Sequence, residues 1–422
     1  METLRDAGIP SALMGRPGGG IERVDIAIDG GRIASIAPHQ PGPGRDLDGG
    51  LVLPAFADIH THLDKGHIWP RKPNPDGSFM GALNAVDADR IAHWSPADVE
   101  RRMEFLLRTA YAHGTAAIRT HLDSVPPDHE PVWEVFSTMR ERWAGRIELQ
   151  AVSLVGPDVL LDPAALSEVA RVTKAHHGIL GGAIASHPLS AAAMRNLVEV
   201  AGAVGLDIDL HADETTDPGS SVLLHLAEAV LASGFEGKVV AGHCCSLSVQ
   251  DEAVAATTIA KVAEANIAIV SLPMCNMYLQ DRTTDRHRTP RLRGVAPLRE
   301  LRAGGVRVAI GSDNVRDPFY AYGDLDGLEV LREAARIAHF DHPQSEAWGW
   351  ARTIGADAAA IAGFDYAAEI KPGAPADLLL FRARNWTELL ARAQSDRVVL
   401  RAGRQIDTTL PDYRELDDLM EA

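Results

Sequence analysis

Cysteine is scarce in this chain of 422 residues, which holds only Cys244, Cys245 and Cys275. Three thiols, two of them adjacent, suggest no disulfide framework and fit a reducing compartment. Basic residues are also in deficit. With 41 Lys and Arg against 58 Asp and Glu the formal net charge is −17, and such a surface repels a phosphate backbone or an anionic membrane. Neither nucleic acid nor a membrane is therefore an expected partner. No run of eighteen apolar residues occurs, and the N-terminus lacks the basic, apolar and small-residue succession of an export signal. A cytoplasmic protein is the expectation. What remains is ordinary globular material, 46% hydrophobic and 23% charged, ample for a core. The length suits one (β/α)8 barrel with an appended module.

One stretch organises the rest. The apolar run Leu51 to Phe56 reads as a buried strand leading into His60-Thr-His62. Residues two apart on a strand share a face, so both imidazoles can address one metal ion. A pair that merely ends a strand or faces solvent is the plain alternative. What answers the pair is a series of strand-like runs, Ala116 to Asp123, Ile147 to Leu154, Leu180 to Ser186, Leu206 to Glu214, Lys238 to His243, Ile267 to Pro273 and Val306 to Asp313, of which four end in His, Asp or Glu. Helical runs separate most of them, including Ala191 to Val204, Ser221 to Leu231 and Gln250 to Ala265. Another is expected from Ser95, with Pro96 at its first position, Asp98 completing a capping-box-like start and Gly114 closing it.

Alternating strands and helices point to an α/β fold, a distorted (β/α)8 TIM barrel, although a doubly wound sheet shows the same alternation. The two ends read differently. Val24 to Ile28 and Arg32 to Ile36 alternate around the turn Asp29-Gly30-Gly31, and strand-like runs return at Asp377 to Phe381 and Arg397 to Gly403. Residues 1–50 and 371–422 are thus expected to form one small composite domain, β-sandwich-like, around a barrel of residues 51–370. Residues 66–94, rich in Pro, Gly and Asn, read as a long loop that can cover a pocket.

In a barrel the C-terminal ends of the strands share one face. Those ends supply His60, His62, His211, Glu214, His243 and Asp313. Neutral imidazoles with a carboxylate suit one divalent metal ion, zinc or iron(II), with a position left for water. Each histidine alone is as well explained by a hydrogen-bonded strand end. Their joint placement at the ends of separate strands is not.

At these residues the chain resembles the amidohydrolase superfamily, in its cytosine-deaminase-like branch. The resemblance also takes in Arg119-Thr-His121-Leu-Asp123, His211-Ala-Asp-Glu214, Leu279-Gln-Asp-Arg282 with Arg291-Leu-Arg-Gly294, Gly311-Ser-Asp313-Asn314, and Pro372-Gly-Ala-Pro-Ala-Asp377. It implies that His60, His62, His211 and Asp313 hold the metal, which activates water. It further implies that Asp313 takes the water proton, that His243 steadies developing charge, and that Glu214 carries a proton to a ring nitrogen and to the leaving amine. Relatives with two metals carry a bridging lysine at the fourth strand; here the nearest, Lys174, precedes that strand, so one metal is expected.

Departures from the branch bear on the substrate. Where cytosine deaminases carry a pyrimidine-reading Gln this chain has Gly156; Asn314 replaces an Asp, and Phe319 a Trp. The recognised ring edge should therefore differ from cytosine's, as in a pterin, a triazine or another aminopyrimidine. Lys65 can meet an acidic substrate group or pair with Asp64. The expected activity is metal-dependent deamination of a small N-heterocycle with release of ammonia. Hydrolysis of an N-substituted heterocycle or cyclic amide and a non-catalytic binding homologue are the alternatives, and a homo-oligomer is left open. A nucleophilic Cys244 or Cys245 finds no oxyanion loop or second base. The H-x-E with P-C-x-x-C pattern of nucleic-acid editing deaminases is absent.

Overall fold

The structure is a computed structural model that describes residues 2–127, 129–283, 285, 287–343 and 346–421. Its N-terminal part is a small sheet in which β1 (Glu2–Pro10), β2 (Ile21–Asp29) and β3 (Arg32–Pro38) run antiparallel, with β4 (Arg45–Asp46) parallel to β1. The two-residue turn between β2 and β3 places Gly30 and Gly31 at φ 55° and 79°, the positive values a tight hairpin requires.

The apolar run expected as one strand is two. β5 (Val52–Pro54) joins the terminal β structure, and β6 (Phe56–Thr61) opens the barrel. Pro54 has no N–H to continue a ladder, and Ala55 N turns to Asp377 O at 2.9 Å. Periodicity cannot show the break because every residue from Leu51 to Thr61 is buried.

The barrel strands are β6, β7 (Thr115–Asp123), β8 (Glu148–Leu154), β9 (Leu180–Ile184), β10 (Ile208–Ala212), β11 (Val239–His243), β12 (Ala268–Ser271) and β13 (Val308–Ile310). All neighbours are parallel and lie in chain order, as arcs of three (β6 to β8) and five (β9 to β13). The two arcs join through the isolated bridges Val152 with Ile179 and Thr61 with Asp313, with further hydrogen bonds beside each. This is the distorted (β/α)8 barrel expected from the alternation. The C-terminal strands β14 (Leu378–Leu380), β15 (Val398–Arg401) and β16 (Arg404–Gln405) form an antiparallel sheet to which β5 adds at the edge.

The helix Pro96–His113 begins and ends where the sequence placed it: Ser95 accepts from Asp98 N, and Gly114 takes φ 96°. The capping box does not form. Asp98 instead binds Arg71 and Arg102 with its carboxylate, a long-range pairing that outweighs the local one. The expected loop over residues 66–94 is also corrected: its second half is the helix Phe79–His93, started by Ser78 accepting from Gly81 N. Glycine, asparagine and a weak apolar stripe hid it. The final turns, Tyr413–Leu416 and Asp417–Met420, lie not in the terminal β structure but along the helix Pro96–His113, through Arg108 to Glu415 (2.5 Å) and Arg101 to Asp418 (2.5 Å). All three cysteines are buried. Among the described residues no helix is long and apolar enough to cross a membrane.

Candidate active site

The candidate residues meet at the C-terminal mouth of the barrel. His60 sits within β6 and His62 one residue past it, His211 within β10, and His243 at the end of β11. His243 and Asp313 adopt φ 68° and 65°, left-handed backbone that is costly for a residue with a side chain and is concentrated at functional positions. His60 has room only because β11 carries Gly242 beside it, where a Cβ would lie 2.7 Å from the imidazole Cε1.

Nε2 of His211 is 3.1 Å from that of His60 and 3.3 Å from that of His62. Asp313 Oδ1 lies 3.2 Å from His62 Nε2 and 3.7 Å from His60 Nε2. Four donors about 2.05 Å from a tetrahedral ion stand ~3.3 Å apart, so these spacings fit a zinc-sized cation. Two neutral imidazoles can share one N–H···N hydrogen bond, but His211 Nε2 faces both other rings, and three Nε2 atoms gathered around one carboxylate oxygen match the donors of a shared cation. Both carboxylate oxygens of Asp313 are buried without a hydrogen-bond partner among the described residues. Burial pushes Asp313 up to about 8 and holds His60, His62 and His211 well below the ordinary imidazole range. A dication reverses the first effect and exploits the second, since it needs neutral imidazoles and an ionised carboxylate.

His243 and Glu214 stand beside this set. His243 Nδ1 is 3.4 Å from Glu214 Oε1 and 4.0 Å from Asp313 Oδ2. The Asn276 amide, 2.9 Å from Nδ1, donates to it and so places the ring proton on Nε2, which has no partner among the described residues. Burial, and then the nearby Asp313, raise Glu214 well above the usual carboxylate range. A carboxyl so placed is able to hold a proton near neutral pH. Its aim is set by Asp213, whose carboxylate accepts from Val222 N, Leu223 N and Ser220 Oγ.

A cavity of about 370 Å³ opens onto these groups and is lined by Lys65, Gly156, Asn314 and Phe319 as well. A Cβ on Gly156 would meet nothing within 4 Å, so the missing side chain is room. Asn314 is already engaged: its Nδ2 donates to Asp317 Oδ2 at 2.7 Å and its Oδ1 accepts from Cys275. Lys65 pairs with Asp123 at 2.7 Å, not with Asp64. Burial alone would lower its pKa, but Asp123 and Asp64 outweigh it and keep the ammonium charged. The helix Phe79–His93 supplies Phe79, Met80, Leu83 and Val86 to one wall.

Several residues escaped sequence reasoning. Asn276 is hidden in the apolar run Pro273–Leu279. Beneath the histidines, Arg119 reaches Asp209 Oδ2 at 2.8 Å and Ala362 O at 2.8 Å, and His121 packs 4.1 Å from the His60 ring centroid. The strand-end motif holding Arg119 and His121 was visible, but their roles were not.

A metal-addressing histidine and aspartate cluster at the mouth of a (β/α)8 barrel defines a metal-dependent hydrolase. Residues 106–407 match the amidohydrolase family, and the chain belongs to it. It is 54% identical to a pterin deaminase from Rhizobium rhizogenes over 99% of this chain and 97% of that one. Among solved structures, a 5-methylcytosine deaminase from Klebsiella pneumoniae superimposes with TM-score 0.81 at 22% identity, covering 97% and 98% of the two chains. An N-isopropylammelide isopropylaminohydrolase from Burkholderia multivorans does so with TM-score 0.76 at 25% identity, over 97% and 100%. A divalent metal accords with the family and with His60, His211, His243 and Asp313, whose ligand atoms lie within 4.8 Å of one another; His62 joins this group through His211 and Asp313, at 3.3 and 3.2 Å.

Proposed function

We propose that the substrate is a pterin, a bicyclic pyrimidine–pyrazine whose exocyclic 2-amino group is exchanged for oxygen. The chain is a hydrolytic deaminase of a small nitrogen heterocycle, and the observation that carries the finer assignment is its 54% identity, end to end, with a pterin deaminase. The cavity supports it: open space at Gly156 gives a second ring room that a side chain would fill.

We assign one divalent ion, zinc or iron(II), to His60, His62, His211 and Asp313; when bound, it supplies a Lewis acid that makes water acidic near neutral pH. Asp313 accepts the proton from attacking water. His243 donates from Nε2 to the oxygen that gains charge at the attacked carbon. Glu214 delivers a proton to the adjacent ring nitrogen and then to the departing amine. Phe319 and the apolar wall opposite hold the ring flat and exclude bulk solvent, while the Lys65–Asp123 pair presents both a donor and an acceptor to its polar edge.

Ammonia release from pterin, with its conversion to the 2-oxo ring, tests the assignment, with cytosine and N-isopropylammelide as competitors. Pterin turnover at least tenfold faster than either is expected. Isopropylamine release from the triazine without pterin turnover would overturn it.

A further inference from the structure

β6 and β13 meet through one bridge, Thr61 opposite Asp313, reinforced by Asp313 N donating to His60 O and Thr61 Oγ1 to Asp313 O, each at 2.9 Å, and by the buried Asp58 carboxylate, which accepts from Ser312 N and Ser312 Oγ. The proposed ligands are divided by this junction, with His60 and His62 on one side and Asp313 on the other. Past the strands, the two loops stay together through His67 N to Val315 O at 3.0 Å and Trp69 N to Arg316 O at 2.8 Å. The strand contacts end at Thr61 and Asp313, so the chain beyond them, His62 included, is positioned by what holds the two loops.

A second layer of contacts lies over these loops. The ring of Tyr413 is 5.9 Å from the His67 ring, stacks on Phe105 at 5.7 Å and 25°, and faces the Arg316 guanidinium at 4.6 Å. It thus touches one residue of each loop and the helix beneath them. Its flanks are anchored: Arg101 donates to Glu415 O at 2.6 Å and pairs with Asp418, and Arg71 donates to Leu419 O at 3.1 Å. Arg71 shares Asp98 with Arg102, which donates to the carbonyls of Asp64 and Gly66 directly after His62.

We infer that residues 412–420 form a strap across this junction, with Tyr413 as a positioning residue that keeps the two ligand-bearing loops at metal-binding distance. The inference rests on the ligand assignment above. Tyr413 is 48% exposed, so its ring adds little to the core. What it restrains is the relative position of two loops, and loss of that restraint appears in how tightly the ion is held.

The test uses the full chain. Zinc affinity, measured by competition with a chromogenic chelator, is compared for the wild type, Tyr413→Ala, Tyr413→Phe, Arg316→Ala and the Tyr413→Ala/Arg316→Ala pair, with melting temperature and kcat recorded alongside. Tyr413→Ala should weaken zinc binding by about tenfold or more, the scale seen when groups that orient metal ligands are removed, with little change in melting temperature. Tyr413→Phe keeps the ring and should bind as the wild type does. The double variant should be no weaker than Tyr413→Ala, because the Arg316 contact is already among those that variant removes. The inference is overturned if Tyr413→Ala binds zinc within about twofold of wild type, if Tyr413→Phe is as weak as alanine, or if the two losses multiply. A wild-type chain that holds no divalent ion would instead overturn the ligand assignment, and the strap's role with it.

Discussion

Replacing Glu214 by glutamine keeps the side chain's size and its approach to Asn276 but removes a transferable proton. A fall in kcat of roughly 10²- to 10⁴-fold is expected, with metal content and KM nearly unchanged; ammonia release beside metal analysis of the purified variant measures both. A different residue reads out the acidity of the interior. His67 is buried, its Nε2 has no partner among the described residues, and burial lowers its pKa from 6.5 to about 3. Its folded pKa lies below the unfolded one, so between those values the unfolded chain binds a proton that the folded chain refuses. Its contribution to stability is full above pH 6.5 and is lost as pH falls toward 3. The melting temperature of His67→Phe relative to wild type should therefore rise as pH drops from 8 to 5, and a pH-independent difference would refute this. At this scale the sequence was informative where a residue lies on a strand that fixes its direction, as for His60 and His211, whose Nε2 atoms stand 3.1 Å apart. It was silent on partners distant in the chain: Lys65 finds Asp123 58 residues away, and Asn276 reaches both His243 and Glu214.

Among the elements, the helix Phe79–His93 has the most consequence for substrate, since one of its faces is a wall of the cavity. Its start depends on the Ser78 side chain accepting from Gly81 N at 2.9 Å. Ser78→Ala should cost the helix about 1 kcal/mol. We expect faster amide exchange over residues 79–93 and a raised KM, with kcat retained, because the groups that move protons lie on other elements. Unchanged exchange would show that packing alone holds the helix. Helices with a clear cap and a full apolar stripe, such as Pro96–His113, were legible, and so were the barrel strands. The Phe79–His93 helix and the break at Ala55 were not, since one lacks a strong stripe and the other lies in a run buried on every side.

At the scale of the whole molecule, the proposed ligands come from β6, β10 and just beyond β13, and so from both arcs of the barrel. An ion that binds only the closed arrangement stabilises it by about 4 kcal/mol at a thousandfold excess over its Kd. Stripping the protein with a chelator should lower its melting temperature by several degrees, and zinc or iron(II) should restore it; an unchanged transition in calorimetry would argue against a shared ion. Strand-like runs at both ends were legible, as β2, β3, β14 and β15, but the docking of residues 412–420 on a barrel helix rests on arginine pairs that no local pattern announces. The sealed cysteines add a practical corollary. Burial raises all three thiols well above their ordinary range, so a thiol-reactive dye meets an inert surface until the barrel opens, and its uptake counts unfolding events against a silent background.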